Sequence, residues 1–209
     1  MIYKNSVVLP VGGPGVGVIA FDAASGNVLW KKHDFAGFHS SPTLIRFDGA
    51  DEIVFLSGSE VVGLSPATGD IEWRYPFKSG IMTPLFGDDG LLFVGSTEFG
   101  SRGLKLTRKD GNVDVKEVWS QKEMRVDYSN AVRVGGLIIG SGGWDEKYYL
   151  TAIDAQTGKI AWQQTGFNMA NIVSADGKLI ILDNGALTLA AATREKLEIK
   201  SKFQLFESV

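Results

Sequence analysis

The sequence predicts an all-β protein, a β-propeller of four-stranded antiparallel blades, about five in number. Three observations predict it. Glycine is abundant, 26 of 209 residues, about 12% against a usual ~7%. Short alternating runs rich in valine and isoleucine lie between clusters of turn residues, which is the strand pattern. A hairpin-like unit also returns every forty-odd residues, and a fixed period of that size is the signature of a repeat architecture. No helix of ordinary length is expected. The best helical candidate, 190–196, aligns with a hairpin turn of the repeat and is read as one.

The repeat is Ala20-Phe21-Asp22-Ala23-Ala24-Ser25-Gly26-Asn27-Val28-Leu29-Trp30. It returns as Gly63-Leu64-Ser65-Pro66-Ala67-Thr68-Gly69-Asp70-Ile71-Glu72-Trp73 and as Ala152-Ile153-Asp154-Ala155-Gln156-Thr157-Gly158-Lys159-Ile160-Ala161-Trp162. A looser copy runs 104–111 through Gly111, with Trp119 four residues late, and a degenerate fifth at 187–202 has lost both Gly and Trp. From Trp30 to Trp73, to Trp119 and to Trp162 the steps are 43, 46 and 43 residues. Each copy reads as a β-hairpin. Gly26, Gly69, Gly111 and Gly158 supply the positive φ of the turn. Asp22 and Asp154 cap backbone N–H groups inside it. A large aromatic at one fixed offset per unit is suited to fill the gap between adjacent sheets, with one partner required for its indole N–H.

Further alternating runs fill each unit: 41–47 and 52–57, 82–86 and 91–97, 128–134 and 137–142, 169–175 and 178–183. A unit is therefore four strands in about 43 residues, the size of a propeller blade. The chain divides into a single repeat array with blades at about 1–35, 36–78, 79–122, 123–166 and 167–209. The first unit reads as three strands (5–11, 16–22, 28–33) with no innermost strand ahead of them. Three readings of the ends stay open: a piece of a longer protein, a small five-bladed ring, or an incomplete ring closed by oligomerisation through exposed strand edges.

The unit Ala-x-Asp-x-x-Thr-Gly-Lys-x-x-Trp, matched nearly letter for letter at 152–162, is similar to the tryptophan-docking repeat of the pyrroloquinoline-quinone-like β-propellers. The resemblance spans essentially the whole chain. It implies the propeller fold, often of seven or eight blades. It leaves activity open, because the family holds quinoprotein dehydrogenases and also non-catalytic scaffolds of outer-membrane protein assembly. The catalytic members are similar in binding calcium through Glu, Asn and Asp, in placing a catalytic Asp beside it, and often in stacking the quinone on Trp. Trp144, beside Asp145 and Glu146, is the one Trp outside the repeat position, and a solvated hairpin tip is the preferred reading of it. No catalytic residue is carried over, and no cofactor is expected; the alternative is pyrroloquinoline quinone with calcium.

Other motifs are weaker. Gly12-Gly13-Pro14-Gly15-Val16-Gly17 has the look of a phosphate loop, but a strand follows it instead of the helix whose N-terminus would hold the anion. His33 and His39 lack tight metal-ligand spacing, and no metal is expected. The zero cysteine count excludes disulfides and thiolate chemistry. A net charge of −3 speaks against a nucleic-acid binder. No apolar run reaches the ~18–20 residues of a membrane span. The alternating lysines of 196–202 suit a protected strand edge.

The starts of the innermost strands line the channel of a propeller. His39, Ser40, Asp127, Tyr128, Asn130, Asn168 and Asn171, with Arg125 nearby, are the candidate ligand-binding residues at its mouth; a water-filled channel wall is the competing reading. The function expected is that of a non-catalytic scaffold that binds protein or ligand. Its alternatives are a fragment of a quinone-dependent dehydrogenase or a small-molecule or carbohydrate-binding propeller. Partners are expected to be proteins, with self-association through strand edges as one route, and neither nucleic acid nor membrane insertion is expected. Met1-Ile2-Tyr3-Lys4 leads straight into a strand-like run, so the chain reads as soluble and without a signal peptide. The resemblance implies periplasmic or exported relatives, and the compartment stays open.

Overall fold

The fold is that of a computed structural model, which describes residues 1–209 except 37–38, 79–80, 127–128, 145–146 and 208–209, and of Trp144 the backbone alone. It is all β among the described residues. The first sheet holds β1 (Ile2–Tyr3), β2 (Ser6–Pro10), β3 (Val18–Asp22) and β4 (Val28–Lys32). The second holds β5 (Thr43–Phe47), β6 (Ala50–Leu56), β7 (Glu60–Leu64) and β8 (Ile71–Pro76). The third holds β9 (Leu85–Phe86), β10 (Leu91–Ser96), β11 (Gly100–Lys109) and β12 (Asn112–Gln121). The fourth holds β13 (Ala131–Val134), β14 (Leu137–Trp144), β15 (Lys147–Asp154) and β16 (Ile160–Gln164). The fifth holds β17 (Asn171–Ala175), β18 (Lys178–Asp183), β19 (Ala186–Ala192) and β20 (Leu197–Gln204). Every sheet takes its four strands in order from one continuous stretch of chain. That is the construction of a propeller blade.

Two expectations are corrected. The first unit does have an innermost strand, β1, which pairs Ile2 with Val7 and Tyr3 with Ser6. At two residues it is too short to show any alternation in sequence. The run 82–86 keeps only Leu85–Phe86 as strand. Pro84 has no N–H to give to a ladder, and the carbonyls before β9 go elsewhere. Met82 O accepts from the Ser40 hydroxyl and Pro84 O from Thr43, both at 2.9 Å.

The chain forms two compact units, Met1–Leu92 with Lys105–Lys116, and Phe93–Leu104 with Glu117–Val209. Each has its own core. In the first unit Val8, Ala20 and Phe35 pack on Ile53, Phe55, Val62 and Leu64, with Trp30 and Ile71 at the margin. In the second, Val132, Ile139, Leu150, Ala152 and Trp162 pack on Ile172, Leu179, Ile181 and Ala190. The side of a sheet that carries its Trp is called here the forward face, and the opposite side the rear face.

The register explains the repeat letter by letter. Trp30 pairs across the strands with Ala20, Trp73 with Gly63 and Trp162 with Ala152, and one residue is skipped just beyond each pair. This β-bulge tightens the local twist. The partner must be small because the indole lies across it. A Cβ on Gly63 would sit 2.1 Å from Trp73 Nε1, and one on Gly103 2.3 Å from Trp119 Cε2. The indole then reaches the hairpin turn of the next sheet. Trp30 covers Gly69 and Trp119 covers Gly158. Trp119 Nε1 donates to Ala155 O and Trp162 Nε1 to Thr193 O, each at 2.9 Å. The turns are pre-shaped for this. Asp22 Oδ1 accepts from Ser25 N at 2.8 Å and Asp154 Oδ1 from Thr157 N at 2.9 Å. Gly26, Gly69, Gly111 and Gly158 all have positive φ, between 68° and 83°. In the fifth sheet the bulge falls between Leu189, paired with Ser201, and Ala190, paired with Ile199. Ser201 therefore stands where the other sheets have tryptophan.

One tryptophan is seated differently. Trp73 donates to Glu52, a side chain only 1% exposed. Glu52 also accepts from Arg108 of β11. Arg108 lies 5.2 Å over the Phe47 ring and 3.8 Å from Glu72, and its backbone N–H donates to Asp48 at 3.0 Å. Burial pushes the Glu52 carboxyl above its ordinary value, against the opposing pull of the Trp73 N–H and the Arg108 charge.

Two predictions follow from these joints. Trp73→Ala removes a ring that is 5% exposed and costs about 3–5 kcal/mol in denaturant unfolding; a loss under about 1 kcal/mol would place the ring in solvent. For Glu52 the folded-state pKa is raised, so the fold favours the protonated carboxyl; that stability is present below the unfolded value and lost as pH rises through the folded one. Relative to the wild type, Glu52→Gln therefore gains stability as pH rises from about 4 to 8; a relative loss over that range would contradict the burial account.

Candidate functional site

The inner-strand starts place the expected residues as follows. Ser40 is 3% exposed, and its hydroxyl is spent on Met82 O. His39 is exposed. Asn130 is half-buried and its amide donates to Ile172 O at 2.9 Å, which ties the entry to β13 onto β17. Asn171 begins β17 and is exposed. Asn168 is exposed, and its backbone N–H donates to Asp183 Oδ1 at 2.9 Å. Arg125 donates to Lys122 O and Thr97 O at 3.1 and 3.2 Å. Asp127 and Tyr128 lie outside the described residues. Within the second unit the structure brings Asn130 beside the strand that Asn171 opens. Ser129 and Ser141 add to this stitching: Ser129 Oγ donates to Ser141 O, and Ala170 N donates to Ser141 Oγ, both at 2.9 Å. These short polar side chains satisfy carbonyls and amides that the short inner strands leave outside any ladder.

Two clefts were not visible in the sequence. The first, about 440 Å³, lies between the segment leaving β4 and the β6–β7 turn, with His33, Asp34, Phe35, Ser59, Glu60 and Arg74 on its walls. The second, about 270 Å³, lies between the segment leaving β12 and the β14–β15 hairpin, with Lys122, Arg125, Lys147, Tyr149 and Gln163. They occupy equivalent places in their units. The one signal that marks them is that Arg74 and Gln163 each directly follow a repeat Trp.

In the first cleft the charges answer one another. Arg74 pairs with Glu60 at 2.9 Å and lies 5.8 Å over the Phe35 ring. His33, held at φ 68°, has Nε2 2.6 Å from Gly69 O. The glycine loop 12–17 borders the same segment, and its amides are already used. Gly13 N donates to Phe35 O, Gly15 N to Asp34 Oδ1 and Gly17 N to His33 O, at 2.7, 2.6 and 2.8 Å. A phosphate would find those N–H groups taken, so the loop is a clasp on the β4 exit. A Cβ on Gly17 would sit 2.8 Å from Phe35 N, which explains that glycine.

Among the described residues no group of three or more His, Asp or Glu could hold a metal ion. Asp145 and Glu146, the carboxylates nearest to a quinoprotein arrangement in sequence, lie outside the described residues, and no catalytic step is derived through a quinone or calcium. Also among the described residues, no helix is long and apolar enough to cross a membrane.

A family model described as "Outer membrane protein assembly factor BamB" matches residues 14–199. No curated protein matches the sequence. Among solved structures, the chain is similar to a Myceliophteria thermophila Cps50 (Swd1) β-propeller domain at 14% identity and TM-score 0.64, over 91% of this chain and 67% of that one. It is similar to a europium-containing methanol dehydrogenase at 16% identity and TM-score 0.57, over 90% of this chain and 45% of that one. BamB from Moraxella catarrhalis matches at 15% identity and TM-score 0.48, over 90% of this chain and 67% of that one. The chain thus spans about two thirds of two of these structures and under half of the third. At these identities the likeness to the first two shows the fold alone.

The stitching of the inner strands is testable. Asn130→Ala leaves Ile172 O without its donor and costs about 1 kcal/mol in denaturant unfolding; no change would show that the amide works in solvent instead.

Proposed function

Since the chain belongs to the family described as outer membrane protein assembly factor BamB, we propose that it is a non-catalytic scaffold that binds other protein chains and uses no cofactor. One observation carries this. The fifth sheet presents bulky apolar side chains to solvent, with Val173 55% and Phe203 67% exposed. Apolar surface gathered in one place marks an interaction site more often than a neutral surface. The last strand itself is guarded. Lys200 pairs with Glu198 at 2.9 Å, Lys196 lies 3.7 Å from the same carboxylate, and Lys202 follows along the edge. Edge lysines discourage strand addition, which favours the face of the sheet over its edge as the contact.

The reading of an assembly factor suits this surface, because such a protein acts by holding other chains. The alternative, part of a quinone-dependent dehydrogenase, separates by titration. With pyrroloquinoline quinone and calcium, the scaffold reading expects no saturable change in the quinone absorbance, and saturation would overturn it. A photo-crosslinking residue at position 203 is expected to trap a discrete protein in cells of the source organism, while the same residue at exposed position 176 traps none. Equal labelling from both positions, or none from 203, would count against the protein-binding role.

A further inference from the structure

The four repeat tryptophans do not all spend their indole N–H. Trp119 and Trp162 donate to carbonyls of the hairpin that follows, and Trp73 donates to Glu52. Trp30 is seated like Trp119: its Cδ2 and Cε3 lie against Gly69 as those of Trp119 lie against Gly158. The motif aligns Pro66 with Ala155, whose carbonyl receives the Trp119 N–H. Yet Trp30 Nε1 has no acceptor among the described residues, and the nitrogen is open to solvent. A half-buried indole ordinarily finds a partner for its N–H, so this donor is unspent.

Trp30 lines a cleft of about 240 Å³ between the forward face of the first sheet and the hairpin turn of the second, all of it inside the first compact unit. Tyr3, Leu29 and Pro66 give the cleft apolar walls. Leu29 is there because of the bulge. Val28 pairs with Phe21 and Trp30 with Ala20, so Leu29 is the residue that is skipped. A bulge re-aims a side chain, and Leu29 is 55% exposed on the cleft wall. The residues skipped in the second, fourth and fifth sheets are Glu72, Ala161 and Lys200, so among these four sheets a large apolar side chain at this point is peculiar to the first. The Tyr3 hydroxyl donates to Asp51 Oδ2 at 3.3 Å, and Lys4 Nζ lies 5.1 Å over its ring. The acceptors around the cleft are occupied. Asp22 Oδ1 takes the Ala24 and Ser25 N–H groups and the Ser25 hydroxyl. Tyr3 O takes the Ser6 hydroxyl and Asn5 O the Ala23 N–H, each at 2.8 Å.

We propose that this cleft binds an extended, proline-containing segment of a partner protein, with Trp30 Nε1 donating to a backbone carbonyl of the segment and proline rings lying against Tyr3, Leu29 and Pro66. A proline has a carbonyl to offer and no N–H to satisfy. A run of them is extended without internal hydrogen bonds and docks in grooves lined by aromatic side chains. Such a segment complements a cleft whose donor is unspent and whose acceptors are taken. The volume is below the ~300–1,000 Å³ of a pocket that encloses a whole small molecule, so what enters is a short stretch of a longer chain, with the rest along the open side. The inference goes beyond the scaffold reading, since the site uses no residue of the fifth sheet.

Assigned proton–nitrogen spectra of the whole chain test this, with decaproline as the probe. Decaproline is expected to shift the Trp30 indole cross-peak progressively to saturation and to leave those of Trp119 and Trp162 in place. A Gly-Ser decapeptide and maltotriose should leave the Trp30 cross-peak unmoved. Leu29→Lys sets a charge on the cleft wall at an exposed position and should weaken decaproline binding at least tenfold, with unchanged Trp119 and Trp162 cross-peaks as the sign of an intact fold. No saturable shift with decaproline, an equal response to the Gly-Ser peptide, a response to maltotriose (the mark of a carbohydrate site), or undiminished binding by Leu29→Lys would each overturn the proposal. If decaproline leaves Trp30 unmoved while a crosslinker at 203 still traps a protein, this site falls and the scaffold reading stands.

Discussion

The contact on which this structure depends is an indole laid across a residue with no side chain to speak of. Trp73 over Gly63 and Trp119 over Gly103 leave no room for a Cβ, and Trp30 and Trp162 stand opposite alanines. Flattened onto their own sheets, the rings of Trp30, Trp119 and Trp162 project far enough to meet the hairpin of the sheet that follows. The bulge next to the pair, the Asp-capped turn and the turn glycine all serve this placement. Removing any one of them would alter the angle at which the ring meets its neighbour, which is why the motif is longer than the contact it makes.

The period of the tryptophans, the small residue ten positions before three of them and the turn glycine made the sheets and their strand count readable in sequence, because those features are local. What escaped was set by partners far along the chain. The strand β1 is two residues long and exists because β2 offers it an edge. The inner strand of the third sheet is cut short because Pro84 cannot donate and because Ser40 and Thr43 take the carbonyls before it. Trp73 has an unusual acceptor, Glu52, that only the position of Arg108 on β11 makes tolerable. The place of Ser201 was hidden for a different reason: the fifth hairpin has a shorter turn, and only the bulge between Leu189 and Ala190 restores the alignment.

Of the candidate site, the sequence showed where polar residues gather but not what they spend their hydrogen bonds on. Ser40 and Asn130 face carbonyls of adjacent strands, and residues of this kind look the same in sequence whether they serve a ligand or a neighbour. The glycine loop is a similar lesson, since its amides are consumed by the β4 exit. The surfaces left with unspent potential are apolar.

Exchange of the indole Nε1 protons, followed by assigned proton–nitrogen spectra, tests the central contact most directly. Protons on Trp119 and Trp162, held by Ala155 O and Thr193 O, and on Trp73, held by Glu52, should exchange many times more slowly than those of free tryptophan. Exchange at the free rate for Trp119 and Trp162 would mean that the rings do not bridge neighbouring sheets.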